Sequence, residues 1–209
     1  MKSAPCVISV ADHAGWAHLL GVAAPLGVPA VIERRRLTLI DAGLPTLPYH
    51  HESINMPLAD ADALIARVRQ SIAKVTARAL HDAVTDLSPA YRIVALAIRE
   101  PPFAELPGTV AAVRRSYQLQ CAADGMMYQL ALCRAADDLG LAVHLCRRGK
   151  ENARAAAALE VRADDVESFV SDTGRPPGPP WTQEHRRAFA AGIAALAAHT
   201  FRQLCVRAR

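Results

Sequence analysis

The stretch from Leu58 to Leu87 constrains this chain more than any other. Its apolar residues Leu64, Ile65, Val68, Ile72, Val75, Leu80, Val84 and Leu87 recur at spacings of three and four, the period of a helix with one buried stripe. Ser88 and Pro89 stop the pattern. The run Tyr91 to Arg99 (YRIVALAIR) that follows suits a strand covered on both faces. A second helical stretch spans Thr109 to Leu139, and a bend is expected at Asp124-Gly125 because glycine inside a helix costs about 1 kcal/mol relative to alanine. Gly140 closes that stretch, and Leu141 to Cys146 reads as a short apolar strand. Strand, long helix and strand in this order predict α/β architecture with helical crossovers.

Upstream, Cys6 to Ala11 reads as a buried strand ending in the polar turn Asp12-His13-Ala14-Gly15. Trp16 to Ala24 fits a short helix or a second strand equally well. Ala30 to Ile40 is strand-like at both ends with a charged middle, as on a hairpin or sheet edge. The segment 41–56 reads as a long surface loop carrying Tyr49-His50-His51-Glu52-Ser53. Downstream, Glu151 to Leu159 and Ala163 to Val170 read as short helices. A Pro/Gly connector at 174–180 leads to a terminal helix over 182–206, capped by Thr182. The expected fold is a single α/β domain over residues 1–209, with a mixed or parallel sheet flanked by long helices.

Composition narrows the function classes. With 52% hydrophobic and 21% charged residues the chain can bury a sizeable core, and with only 5% aromatics that core must be built from Ala, Leu, Val and Ile. A net charge of +4 and a pI near 9.0, carried largely by arginine clusters such as Arg34-Arg35-Arg36, favour polyanionic partners. The five cysteines form no C-x-x-C pair and are expected to be small buried hydrophobes in a reducing, cytoplasmic setting. No membrane span is expected, and a homodimer is one expected assembly. The sequence lacks a G-x-x-x-x-G-K-[ST] phosphate loop, a G-x-G-x-x-G turn and a G-x-S-x-G elbow, which removes the main support for triphosphatase, dehydrogenase and α/β-hydrolase chemistry.

Ligands of open α/β sheets bind beyond the carboxyl ends of the strands. The residues there are polar: Asp12 and His13 after the first strand, Glu100 after the strand at 91–99, and Gln183, Glu184 and His185 opening the last helix. Converging carboxylates suit Mg²⁺ or Mn²⁺, and such ions activate water in phosphodiester hydrolysis. The competing reading makes Asp12 a turn cap and Glu184 a residue that favours a helix N-terminus. Arg115 and Tyr128 flank the expected bend and are candidate substrate contacts. His50 and His51 are a further candidate pair, and with His13 and His18 they offer imidazoles to a metal such as Zn²⁺.

In its order of elements and in these acidic positions the chain resembles the ribonuclease H-like superfamily, and within it the bacterial Holliday-junction resolvases. That resemblance implies divalent-metal-dependent cleavage of nucleic acid, with Asp12, Glu100 and Glu184 as metal ligands and His185 as an accessory ligand or proton carrier. Two departures stand out: Asp12 lies at the end of its strand, and the terminal helix offers one carboxylate where that family usually supplies two. The alternatives are a non-catalytic module of the same fold that binds nucleic acid or protein, and an enzyme acting on a small molecule with the His50-His51 loop closing over the strand ends.

Overall fold

The computed structural model describes residues 3–173 and 180–207. Strand β1 (Ala4–His13) turns through Ala14-Gly15 into β2 (Trp16–Ala23), which pairs antiparallel with it and then with β3 (Ala30–Thr38). Helix α1 (Leu58–Leu87) carries the chain back so that β4 (Tyr91–Arg99) pairs parallel to β1 on its other side. Helices α2 (Val110–Val113) and α3 (Tyr117–Asp138) lead to β5 (Ala142–Cys146), parallel to β4. The mixed sheet therefore has the order β3-β2-β1-β4-β5. Helices α4 (Glu151–Leu159), α5 (Ala163–Thr173) and α6 (Gln183–Arg207) complete the chain. The expected connector at 174–180 lies, Pro180 apart, outside the described residues.

The sheet is covered on both faces, as its apolar strands require. Ile8, Val10, Leu19, Leu96 and Ile98 face a core shared with Ile65, Val68 and Ile72 of α1 and with Tyr128 and Leu132 of α3. Val7, Leu20, Val22, Ala95 and Ala97 face a second core with Phe189, Ile193 and Leu196 of α6. This second layer is thin because α6 presents mostly alanine. At Gly192 a Cβ would stand 2.6 Å from Val22 Cγ2 and 3.1 Å from Ser9 Cβ, so only glycine permits the approach. The Ser9 hydroxyl donates to the Ala188 carbonyl at 2.6 Å and ties β1 to the same helix.

One open reading is settled and two expectations change. Trp16 to Ala23 is a strand, because its alternate residues meet the two cores. Asp12 and His13 belong to β1 rather than to the turn, which consists of Ala14 and Gly15; Gly15 takes φ +85°, the left-handed conformation glycine tolerates best. The helical break lies at Arg114–Ser116, where Ser116 caps α3 by accepting from Leu119 N–H, and α3 runs unbroken through Gly125. Gly125 sits in the helix without crowding, since a Cβ there would meet nothing nearer than Arg99 Nη2 at 3.9 Å. Among the described residues no helix is long and apolar enough to cross a membrane.

Candidate functional site

The carboxyl ends of β1, β4 and β5 meet the start of α6 at a small polar cavity of about 70 Å³. Its charged lining is Asp12, Arg99, Arg148, Glu151, Glu184 and Arg187. The strand-end rule thus locates the polar site, but its internal chemistry differs from the expected one. The Asp12 side chain is 1% exposed, and both its oxygens are taken: Oδ1 accepts from Arg99 Nε and Oδ2 from Arg99 Nη2, each at 2.8 Å. A bidentate guanidinium is the strongest geometry such a pair adopts. The arginine supplies the positive charge that a carboxylate this deeply buried requires.

Glu100 stands apart from the cavity. It is exposed, its N–H extends the β4–β5 pairing by donating to the Cys146 carbonyl at 2.9 Å, and its side chain lines a neighbouring open groove of about 1120 Å³. That groove runs between the strand ends and α3, past Gly125, Gln129 and Cys133, with Arg99, Arg147 and Arg148 on its border. Asp12, Glu100 and Glu184 therefore do not form one carboxylate set around an ion. The reason is local: the strand-end residue that meets Asp12 is Arg99, and Glu100 lies one residue further on.

Glu184 belongs to a different cluster. Alternation along β1 sends Asp12 to the side of Ile8 and Val10, and His13 to the side of Val7 and Ser9, where α6 lies. The hairpin register pairs His13 with Trp16 and Ala11 with His18, so His13, Trp16 and His18 share that face. His13 stacks on Trp16 with ring centroids 3.9 Å apart, and Arg36 of β3 covers Trp16 with its guanidinium carbon 4.1 Å from the ring centroid. Nε2 of His13 lies 2.8 Å from Oε2 of Glu184, yet it is a buried nitrogen with no directed hydrogen bond. One ligand atom from each of His13, His18 and Glu184 falls within 4.8 Å of the others.

His185 shapes this region without a free ligand atom on its Nδ1 side. The Thr182 N–H (3.1 Å) and hydroxyl (2.8 Å) both donate to Nδ1, which leaves the ring proton on Nε2 and ties the ring to the residue that precedes α6. The ring packs against Trp181 and, at 4.0 Å between centroids, against His18. Burial is the main cause that lowers its pKa to about 4, with His18 and Arg34 adding to it, so His185 stays neutral over the physiological range. Burial first, then His13, also lowers the pKa of His18.

The remaining candidates lie elsewhere. Tyr128 is fully buried, donates its hydroxyl to the Thr46 carbonyl at 2.9 Å and belongs to the α1–α3 core. Arg115 is exposed in the break between α2 and α3. His50 is held by the fully buried Asp124 of α3: the carboxylate takes Nδ1 of the ring at 2.9 Å, and also the backbone N–H groups of Tyr49 and His50. Burial raises the Asp124 pKa, while these donors oppose the rise. The His51 ring lies against that of His50 at a 41° tilt, His50 fastens the 41–56 loop to α3 through Asp124, and neither histidine lines the cavity. Cys6, Cys121, Cys133 and Cys146 are free thiols; burial pushes Cys6 up to about 12 and Cys133 to about 11, which makes neither a nucleophile.

Sequence reasoning overlooked Arg99, Arg148 and Arg187 as parts of the cavity. The available signal was the place of Arg99 at the end of the apolar run 91–99.

No protein-family model matches the chain, and no curated protein matches it. Among solved structures it is similar to RuvC of Thermus thermophilus, with a TM-score of 0.52 and 12% identity, over 93% of this chain and 96% of that one. It is also similar to T. thermophilus RuvC in complex with Holliday junction substrate, with a TM-score of 0.51 and 15% identity, over 93% and 95%. The likeness shows the fold: a mixed five-stranded sheet with flanking helices in the ribonuclease H-like layout expected from the order of elements.

Proposed function

We propose that this ribonuclease H-like chain is a non-catalytic nucleic-acid-binding module in which arginines take over the strand-end cavity. The observation that carries this reading is the bidentate Arg99–Asp12 pair at 2.8 Å. A buried carboxylate with both oxygens engaged is a poor ligand for Mg²⁺ or Mn²⁺, and Glu100 borders a different space. The carboxylates thus do not fit a two-metal hydrolytic centre.

The same residues do suit a polyanion. Arg148 and Arg187 line the cavity, and Arg147 and Arg148 line the adjoining open groove of about 1120 Å³. Arginine matches phosphate through two parallel donors. The overall charge of +4 adds long-range attraction. RuvC, which shares the fold, has been observed on a Holliday junction, so a branched duplex is the first substrate to offer.

The test is fluorescence anisotropy with labelled four-way junction, linear duplex and single-stranded DNA across a salt series, paired with a cleavage assay in Mg²⁺ and Mn²⁺. Binding should weaken steeply with salt, fall in Arg148→Ala and Arg187→Ala, and occur without cleavage. Metal-dependent cleavage that disappears in Asp12→Asn, or no binding at low salt, would overturn the proposal.

A further inference from the structure

We infer that His13, His18 and Glu184 form a binding site for a divalent transition ion of the zinc class, which staples the β1–β2 turn to the start of α6. The inference is independent of nucleic-acid binding.

The donor set fits such an ion. Two imidazoles and one carboxylate, with ligand atoms within 4.8 Å of one another, are the three-protein-ligand set that Zn²⁺ accepts, with a fourth position left for water or another ligand. Ligands bound tetrahedrally at about 2.0–2.1 Å stand roughly 3.3 Å apart. The 2.8 Å between His13 Nε2 and Glu184 Oε2 needs to open only slightly, by turning side chains that are 26% and 43% exposed.

The state of His13 points to the same site. Its Nε2 is buried and lacks a directed hydrogen bond, although a carboxylate oxygen is adjacent. Buried polar nitrogens are ordinarily satisfied, and an ion bound in the ring plane satisfies this one. The ring cannot turn away freely, because it lies flat on Trp16 with 8° between the planes and Arg36 packs against the indole.

The chemistry of the donors selects the ion. Hard cations such as Mg²⁺ and Ca²⁺ depend on several oxygen donors. Here there is one carboxylate, at a helix N-terminus that already favours its charge, while Arg36 packs on the neighbouring Trp16. Only an ion that gains from bonding to neutral imidazole overcomes that electrostatic setting, which places Zn²⁺ and Co²⁺ far ahead of Mg²⁺.

The test is stoichiometric Zn²⁺ titration of the full chain against a chromophoric chelator, with Co²⁺ visible absorption as a reporter of coordination and thermal melts in parallel. Wild type should take up one ion, with at least tenfold preference over Mg²⁺, and its melting temperature should rise. His13→Ala and His18→Ala should each weaken uptake at least tenfold. Glu184→Gln conserves shape and keeps the test valid if a histidine variant misfolds; it too should weaken uptake. The His50→Ala/His51→Ala variant should bind as wild type does. Absence of uptake by wild type, undiminished uptake in both His13→Ala and Glu184→Gln, or loss of uptake on changing His50 and His51 would each overturn the inference.

Discussion

Replacing Arg99 with methionine removes the guanidinium from Asp12 and retains much of the aliphatic stem. The carboxylate it leaves is 1% exposed, whereas the arginine is 39% exposed. Breaking a fully buried ion pair costs about 3–5 kcal/mol, chiefly because a charge remains buried without a partner. Water access on the arginine side argues for the lower end, about 3 kcal/mol. At about 2–4 °C per kcal/mol for chains of this length, the melting temperature should fall by about 6–12 °C. Asp12→Asn/Arg99→Met, which removes both charges, should recover a large part of that loss. Urea unfolding of the four proteins at neutral pH completes a double-mutant cycle, with an expected coupling on the order of 2 kcal/mol. An Arg99→Met protein within about 0.5 kcal/mol of wild type would show that Asp12 does not depend on this partner, and the reading of the cavity from this ion pair would fail.

Gly192→Ala should destabilise the chain by about 1–2 kcal/mol in urea unfolding, because the clash with Val22 and Ser9 outweighs the helix propensity gained; equal or greater stability would contradict the close approach of α6. Gly125→Ala, in an uncrowded position of α3, should stabilise by about 0.5–1 kcal/mol in the same assay. His185 has a folded pKa of about 4 against an ordinary 6.5, so the folded state binds its proton less readily than the unfolded chain does. Its contribution is therefore complete above pH 6.5 and declines as pH falls from 6.5 towards 4, by about 1.4 kcal/mol per unit. His185→Gln should flatten stability against pH across that window, and an unchanged slope would refute the assignment.

Alternation along β1 separates the two predicted chemistries. Adjacent residues of β1 point to opposite sides of the sheet, so Asp12 meets Arg99 and His13 meets Glu184. A strand end rich in polar residues thereby serves two clusters rather than one.

Local sequence determined the elements whose pattern is self-contained. The three-and-four spacing of Leu64, Ile65, Val68 and Ile72 marks α1 because each of these side chains must be buried on one stripe, and YRIVALAIR marks a doubly covered strand for the same reason. Of the acidic positions singled out in the sequence, Asp12 and Glu184 line one cavity and Glu100 lines the neighbouring groove. Tertiary structure decided what those residues meet. Whether Trp16 to Ala23 was helix or strand depended on pairing with β1, and that pairing alone puts His18 beside His13. Arg99 and Asp12 are 87 positions apart, and no local preference encodes their contact. Side-chain partners across a sheet are fixed by register and by the helix packed above it, and both exist only once the chain has folded.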